Sequence, residues 1–171
     1  MGQPLDIVRT YRFLVMYEKA LNNAEQLLRD AEILFERQRF ARAYFLALTG
    51  LEEIAKSQLA ADVWTGFIEE KEFRAYFEDH PKKIKSVKWA SSSAKEYEDV
   101  EQGTYLEINH PTTTDRMNAL YTHFDGGEVV TPNELFTEDK ARAIIHTLRV
   151  AIHRVIENDF FGYGIGTKGF M

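Results

Sequence analysis

The sequence predicts an all-α protein, an antiparallel bundle of four to five helices. Three observations carry that prediction. Apolar residues recur at steps of three and four over long windows, no segment shows the alternation of a half-buried strand, and a capping signature opens the last long periodic segment. With 171 residues, 44% of them hydrophobic, the chain can bury a core of ordinary domain size, so residues 1–171 are expected to form a single helical domain with a Gly/aromatic tail at 160–171.

In chain order, Leu14, Tyr17, Leu21, Ala24, Leu28, Ala31 and Phe35 place one stripe along a long first helix. After the charged break "ERQR", a second helix from about Phe40 to Phe67 carries Tyr44, Ala47, Leu51 and Ile54 on one face and Ala43, Leu48, Ala55 and Leu59 on another. A helix apolar on two sides belongs at the centre of a bundle. The more polar stretch from Glu69 to Val100, anchored by Phe73, Tyr76, Phe77, Ile84, Val87 and Trp89, predicts a short and a medium helix meeting near Pro81. "EQGTYLEINHPTTT" is a loop by composition, Thr114 is placed to cap a short helix running toward "HFDGG", and Gly126 and Gly127 to end it. Thr131, Pro132 and Glu134 stand where a capping box puts its cap, its first-turn proline and its acidic reply. From there Leu135, Ala141, Ile145, Leu148, Ile152 and Val155 form the stripe of the last helix.

Composition removes several function classes. Without cysteine there is neither a disulfide framework nor a zinc-thiolate site, and a di-iron bundle would need two Glu-x-x-His motifs where only Glu107 and His110 have that spacing, in a loop. No metal and no cofactor are expected. Charged residues break every window long enough to span a bilayer and the start lacks a signal-peptide pattern, so a soluble, cytoplasmic protein with no membrane partner is expected. The net charge of -6 opposes broad attraction to nucleic acid, which makes any RNA contact local.

The central helix holds an anomaly. Glu52, Glu53 and Lys56 interrupt its apolar surface at mid-length. Glu52 and Lys56 have the order and spacing of an intrahelical pair on a solvated strip, which is the plain reading. The wider pattern adds another. The long first helix, then "RQRFARAYFLALTGLEEIAKSQL", "FRAYFEDHPKKI", "DRMNALYTHFDG" and "TPNEL" ahead of a last amphipathic helix resembles the AbiV-type abortive infection proteins of the HEPN superfamily, over roughly Ala20 to Ile156. The resemblance implies a HEPN-like bundle that forms a homodimer and acts in antiphage defence. It also implies that Glu53 and Lys56 face a polar cleft.

Many HEPN proteins are metal-independent endoribonucleases that use an Arg, four to six intervening residues and a His. Arg74 with His80 and Arg116 with His123 both fit that spacing, and the order along HEPN chains favours Arg116 and His123. By this resemblance Arg116 stabilises charge on the phosphorane and His123 moves the proton of the ribose 2′-hydroxyl or of the leaving oxygen, giving a 2′,3′-cyclic phosphate. On one unbroken helix the two would lie roughly 10 Å apart along the axis, so two chains are expected to supply one of each across a two-fold axis. The plain alternative for His123 is a helix-end histidine interacting with the helix dipole. Tyr121, expected on the same short helix, either stacks a base or packs in the core, with the core favoured. His80, Lys82 and Lys83, in a basic run continued by Lys85 and Lys88, are either local structure and a solvated face or phosphate contacts. Arg142, His146, Arg149 and His153 step along the last helix as a solvent face or as the wall of an RNA groove. The rival to a nuclease is a non-catalytic helical protein that binds a phage or host protein and blocks a step such as translation.

Overall fold

The computed structural model describes the backbone of residues 7–77 and 112–161 and the side chains of 11–76 and 112–157. Six helices and one hairpin are described there: α1 (Ile7–Glu36), α2 (Phe40–Trp64), α3 (Glu70–Phe77), α4 (Thr113–Asn118), β1 (His123–Asp125), β2 (Glu128–Val130), α5 (Pro132–Leu135) and α6 (Glu138–Phe161). The fold is the helical bundle its periodicity predicts, with α1, α2 and α6 packed on one another. The basic run from Lys82 to Lys88, His80 and the tail beyond Phe161 lie outside the described residues.

The turn between α1 and α2 is short because α1 ends in a Schellman-type cap. Gln38 adopts φ 57, its N–H donates to Phe35 O at 2.9 Å, and Arg39 N–H donates to Leu34 O at 2.8 Å. Those two bonds satisfy terminal carbonyls of α1 and reverse the chain into an antiparallel α2. The C-terminal end of α2 repeats the motif with Gly66 at φ 75 and Phe67 N–H donating to Asp62 O at 2.7 Å.

α2 is central, as its two apolar faces require. Tyr44, Ala47, Leu51 and Ile54 on one and Ala43, Leu48, Ala55 and Leu59 on the other are all buried. Small residues set its distance from α6: Gly50 stands directly against the Leu148 side chain. α3 is tied to α1 by Phe13 and Phe73, whose rings meet edge-on at 5.2 Å, and by an ion pair from Arg12 to Glu70. Arg74 also donates to Glu70 at 2.6 Å, and these guanidinium groups, Arg74 first, hold the Glu70 carboxyl below its ordinary range.

The capping box at Thr131 forms as read, with Thr131 N–H donating to the Glu134 carboxylate at 2.6 Å. It opens only the four-residue α5, after which the chain breaks at Phe136 and Thr137 before α6 begins. Phe136 explains the break, because its ring turns inward to lie 4.5 Å from Tyr44 on α2. Thr112, not Thr114, caps α4 through a reciprocal box with Asp115.

The expectation of no strand fails at "HFDGGEVV". Gly126 and Gly127 do not stop a helix; they have φ 56 and 92, the two positive values a type I′ turn needs, and they join β1 to β2 with His123 opposite Val130 and Phe124 opposite Val129. Among the described residues no helix is long and apolar enough to cross a membrane.

Candidate functional site

The polar trio of α2 divides into two arrangements. Lys56 pairs with Glu53, one turn back. Both side chains of that pair are largely but not fully covered. Glu52 turns inward: only 4% of its side chain is exposed, and its Oε2 lies 3.7 Å from Nη1 of Arg116 on α4. A carboxylate that deep in apolar surroundings has to be matched by a cation or by hydrogen bonds to remain charged. Arg116 supplies the match.

Two α2 residues therefore shape the setting of Arg116. Glu52 faces its guanidinium, and the Phe45 ring lies 5.4 Å from its Cζ, a cation–π contact. Positions 45 and 52 are seven apart and share one face of α2. α4 is brought there by the Thr112–Asp115 box at its start and by Ala119, fully buried at its end. One quarter of the Arg116 side chain remains exposed, while its Nε is covered.

His123 is not at a helix end. It opens β1, so the separation of roughly 10 Å expected along one helix does not apply, and neither does a helix-dipole role. Its ring is half-buried, and among the described residues its Nδ1 is a covered nitrogen with no hydrogen-bond partner. Such a group costs about 1–3 kcal/mol to leave unsatisfied. Tyr121 is in neither a helix nor the core; it is 58% exposed. With Met117, Phe124 at 78% and Val129 at 61% it forms a set of large exposed apolar side chains on and around the hairpin.

The other predicted positions fall elsewhere. Arg74, the alternative arginine, is engaged by Glu70 on α3, and its partner His80 lies outside the described residues, as do Lys82 and Lys83. Arg142 and Arg149 line a groove of about 630 Å³ between α1 and α6 together with Glu32, Phe35 and His146. Arg149 donates to Glu32 at 2.6 Å, while Arg142 pairs with Glu138 and rests 5.1 Å from the Phe35 ring. Both charges are balanced within the protein. Among the described residues no three histidine, aspartate or glutamate side chains are grouped to hold a metal ion.

The HEPN AbiV family model matches residues 12–153. The chain belongs to the AbiV family of HEPN proteins. No curated protein and no solved structure gives a significant match. For an AbiV-family chain, the residue that sequence reasoning passed over is Glu52, quoted in "LEEIAK" but assigned to solvent. The available signal was its position. Seven residues after Phe45 and one before Glu53, it falls on the edge of the buried face, where an unpaired carboxylate is not tolerated.

Proposed function

We propose that this AbiV-family protein is an antiphage abortive-infection effector that cleaves RNA without a metal cofactor, using Arg116 and His123 at the interface of a homodimer. The observation that carries the reading is the setting of Arg116, an arginine placed against Glu52 and Phe45 with a quarter of its side chain exposed, followed in the chain by a histidine with an unsatisfied ring nitrogen. A guanidinium fixed in advance stabilises a phosphorane without reorganising when the charge develops. The imidazole accepts the proton of the 2′-hydroxyl, that oxygen bonds to phosphorus, and the bond from phosphorus to the 5′-oxygen breaks as that oxygen takes a proton from water. Glu52 is a positioning residue in this scheme. Glu53 and Lys56 form a pair beside it, and Tyr121, exposed, is available to stack on a base.

The test incubates wild type, His123→Ala, Arg116→Ala and Glu52→Gln with RNA in excess chelator. Cleavage leaving 2′,3′-cyclic phosphate ends is expected for wild type, at a reduced rate for Glu52→Gln, and not for the other two variants. The exposed Met117, Tyr121, Phe124 and Val129 favour a second reading, in which the hairpin binds a phage or host protein and the chain has no catalytic role. Intact RNA with wild type, together with phage protection that survives His123→Ala and Arg116→Ala but is lost in Phe124→Ser/Val129→Ser, would establish that second reading in place of the first.

A further inference from the structure

The turn between α1 and α2 concentrates positive charge that the protein leaves unbalanced. Arg12, Arg29, Arg74, Arg116, Arg142 and Arg149 each sit in an ion pair with a glutamate. Arg37, Arg39 and Arg42 are exposed, and among the described residues their side chains take part in no ion pair, hydrogen bond or ring contact. In a chain of net charge -6, these three neighbouring guanidinium groups outnumber the one adjacent carboxylate, the exposed Glu36, and make a local positive field that opposes the global one. The first turn of α2 holds no acidic residue and Arg39 provides no side-chain cap, so the positive end of the helix adds to that field. The turn itself is held firmly, by the Schellman-type bonds at Gln38 and Arg39 and by the rings of Phe35 and Phe40, 5.3 Å apart.

A separate observation connects this cluster to the candidate site. Most of α2 is buried, and its solvent-reaching residues between the first turn and mid-helix include Arg42, Phe45, Thr49, Glu53 and Lys56, which step by three and four along one face. Arg42 lies one turn, about 4.5 Å of rise, before Phe45, the ring that carries Arg116. The cluster and the candidate site therefore lie on one continuous stripe.

We propose that Arg37, Arg39 and Arg42 bind the phosphates of single-stranded RNA and begin a track that leads along this stripe to Arg116. The inference rests on the RNA-cleaving reading above and extends it by naming where the strand is held. Guanidinium groups grip phosphate in a bidentate manner without reading the base, so the contact is independent of sequence. Arg142 and Arg149, balanced by glutamates on α6 and α1, take no part in it.

The test measures binding of a short single-stranded 2′-O-methyl RNA, which lacks the attacking hydroxyl, by fluorescence anisotropy over a salt series. Arg37→Ser/Arg39→Ser/Arg42→Ser is expected to weaken binding about tenfold or more and to lower the slope of log K against log salt by about 2, three contacts at about 0.7 each. Lysine at the same three positions restores the slope, and Arg29→Ser/Arg74→Ser, which removes two exposed arginines elsewhere, leaves it unchanged. A serine variant that binds with wild-type affinity and slope overturns the proposal, as does a wild type that binds no such RNA. Binding through the three arginines by a chain that never cuts unmodified RNA keeps this inference and removes the nuclease reading. Cleavage at the wild-type rate and affinity by the serine variant does the reverse.

Discussion

Replacing Gly50 with alanine tests the packing on which the candidate site is built. A methyl group at this position would stand 2.5 Å from Cδ2, 3.1 Å from Cδ1 and 3.4 Å from Cγ of Leu148. Carbon atoms rest at about 3.5–4.0 Å, so the closest contact is short by about 1 Å or more. Leu148 is fully buried and cannot swing into water. Relief requires a strained leucine rotamer or a wider gap between α2 and α6, and overpacking of this kind costs about 1–3 kcal/mol. The gain in helix propensity from glycine to alanine offsets up to about 1 kcal/mol. The net loss is set at about 1–2 kcal/mol, a fall in Tm of about 2–8 °C for a chain of this size. Urea melts with an unchanged m value and a lower midpoint would report it. Leu148→Ala alone should cost about 2–5 kcal/mol, and the double variant should lose less than the sum by at least about 0.5 kcal/mol, because the new methyl fills space the leucine vacates. If Gly50→Ala melts at or above wild type, or if the two losses simply add, α2 and α6 do not meet at this point and the placement of Glu52 beneath α4 loses its support.

Three further outcomes follow from the same structure. Gln38→Gly should raise stability by about 1 kcal/mol, since φ 57 is unfavourable for a residue with a Cβ and free of strain for glycine, as a raised urea midpoint would show. His123→Leu should leave stability unchanged or raise it slightly, because an unsatisfied ring nitrogen is removed, while abolishing RNA cleavage; a large loss of stability would mean that the ring is bonded in the folded protein. The Glu134 carboxyl is held below its ordinary value of 4.5 by the Thr131 hydroxyl and then by the Thr131 N–H. The unfolded chain therefore binds the proton more readily, so this contribution is present above the ordinary value and is lost as pH falls through the lowered one. Thr131→Ala should accordingly lower stability at pH 7 and flatten its decline on acidification below about pH 4.5.

The helices were legible because helical burial is periodic. On α1, Tyr17, Leu21, Ala24 and Ala31 are buried and Leu14, Leu28 and Phe35 partly so, and both faces of α2 and the α6 stripe from Ala141 to Val155 are buried where the three-and-four spacing puts them. The Thr131–Glu134 box was legible because its partners are three residues apart. Its extent was not, since at the break Phe136 packs against Tyr44, on another helix. The hairpin had a local signal, Asp-Gly-Gly-Glu between Phe124 and Val129-Val130, but strands of three residues are too brief to show alternation. Reading Gly126 and Gly127 as a helix stop used the same conformational property for the wrong element, and it misplaced His123 and Tyr121 with it.

By itself the sequence determined the bundle, the central rank of α2, the family and the two residue types of the candidate pair. Only the tertiary structure decided which glutamate serves Arg116, that His123 stands on a strand, and that Arg37, Arg39 and Arg42 remain unmatched among the described residues while six other arginines find glutamates. The reason is range. Periodicity and capping join residues a turn apart, whereas the contact between residues 52 and 116 joins positions far apart in the chain, and no local pattern in either segment encodes it.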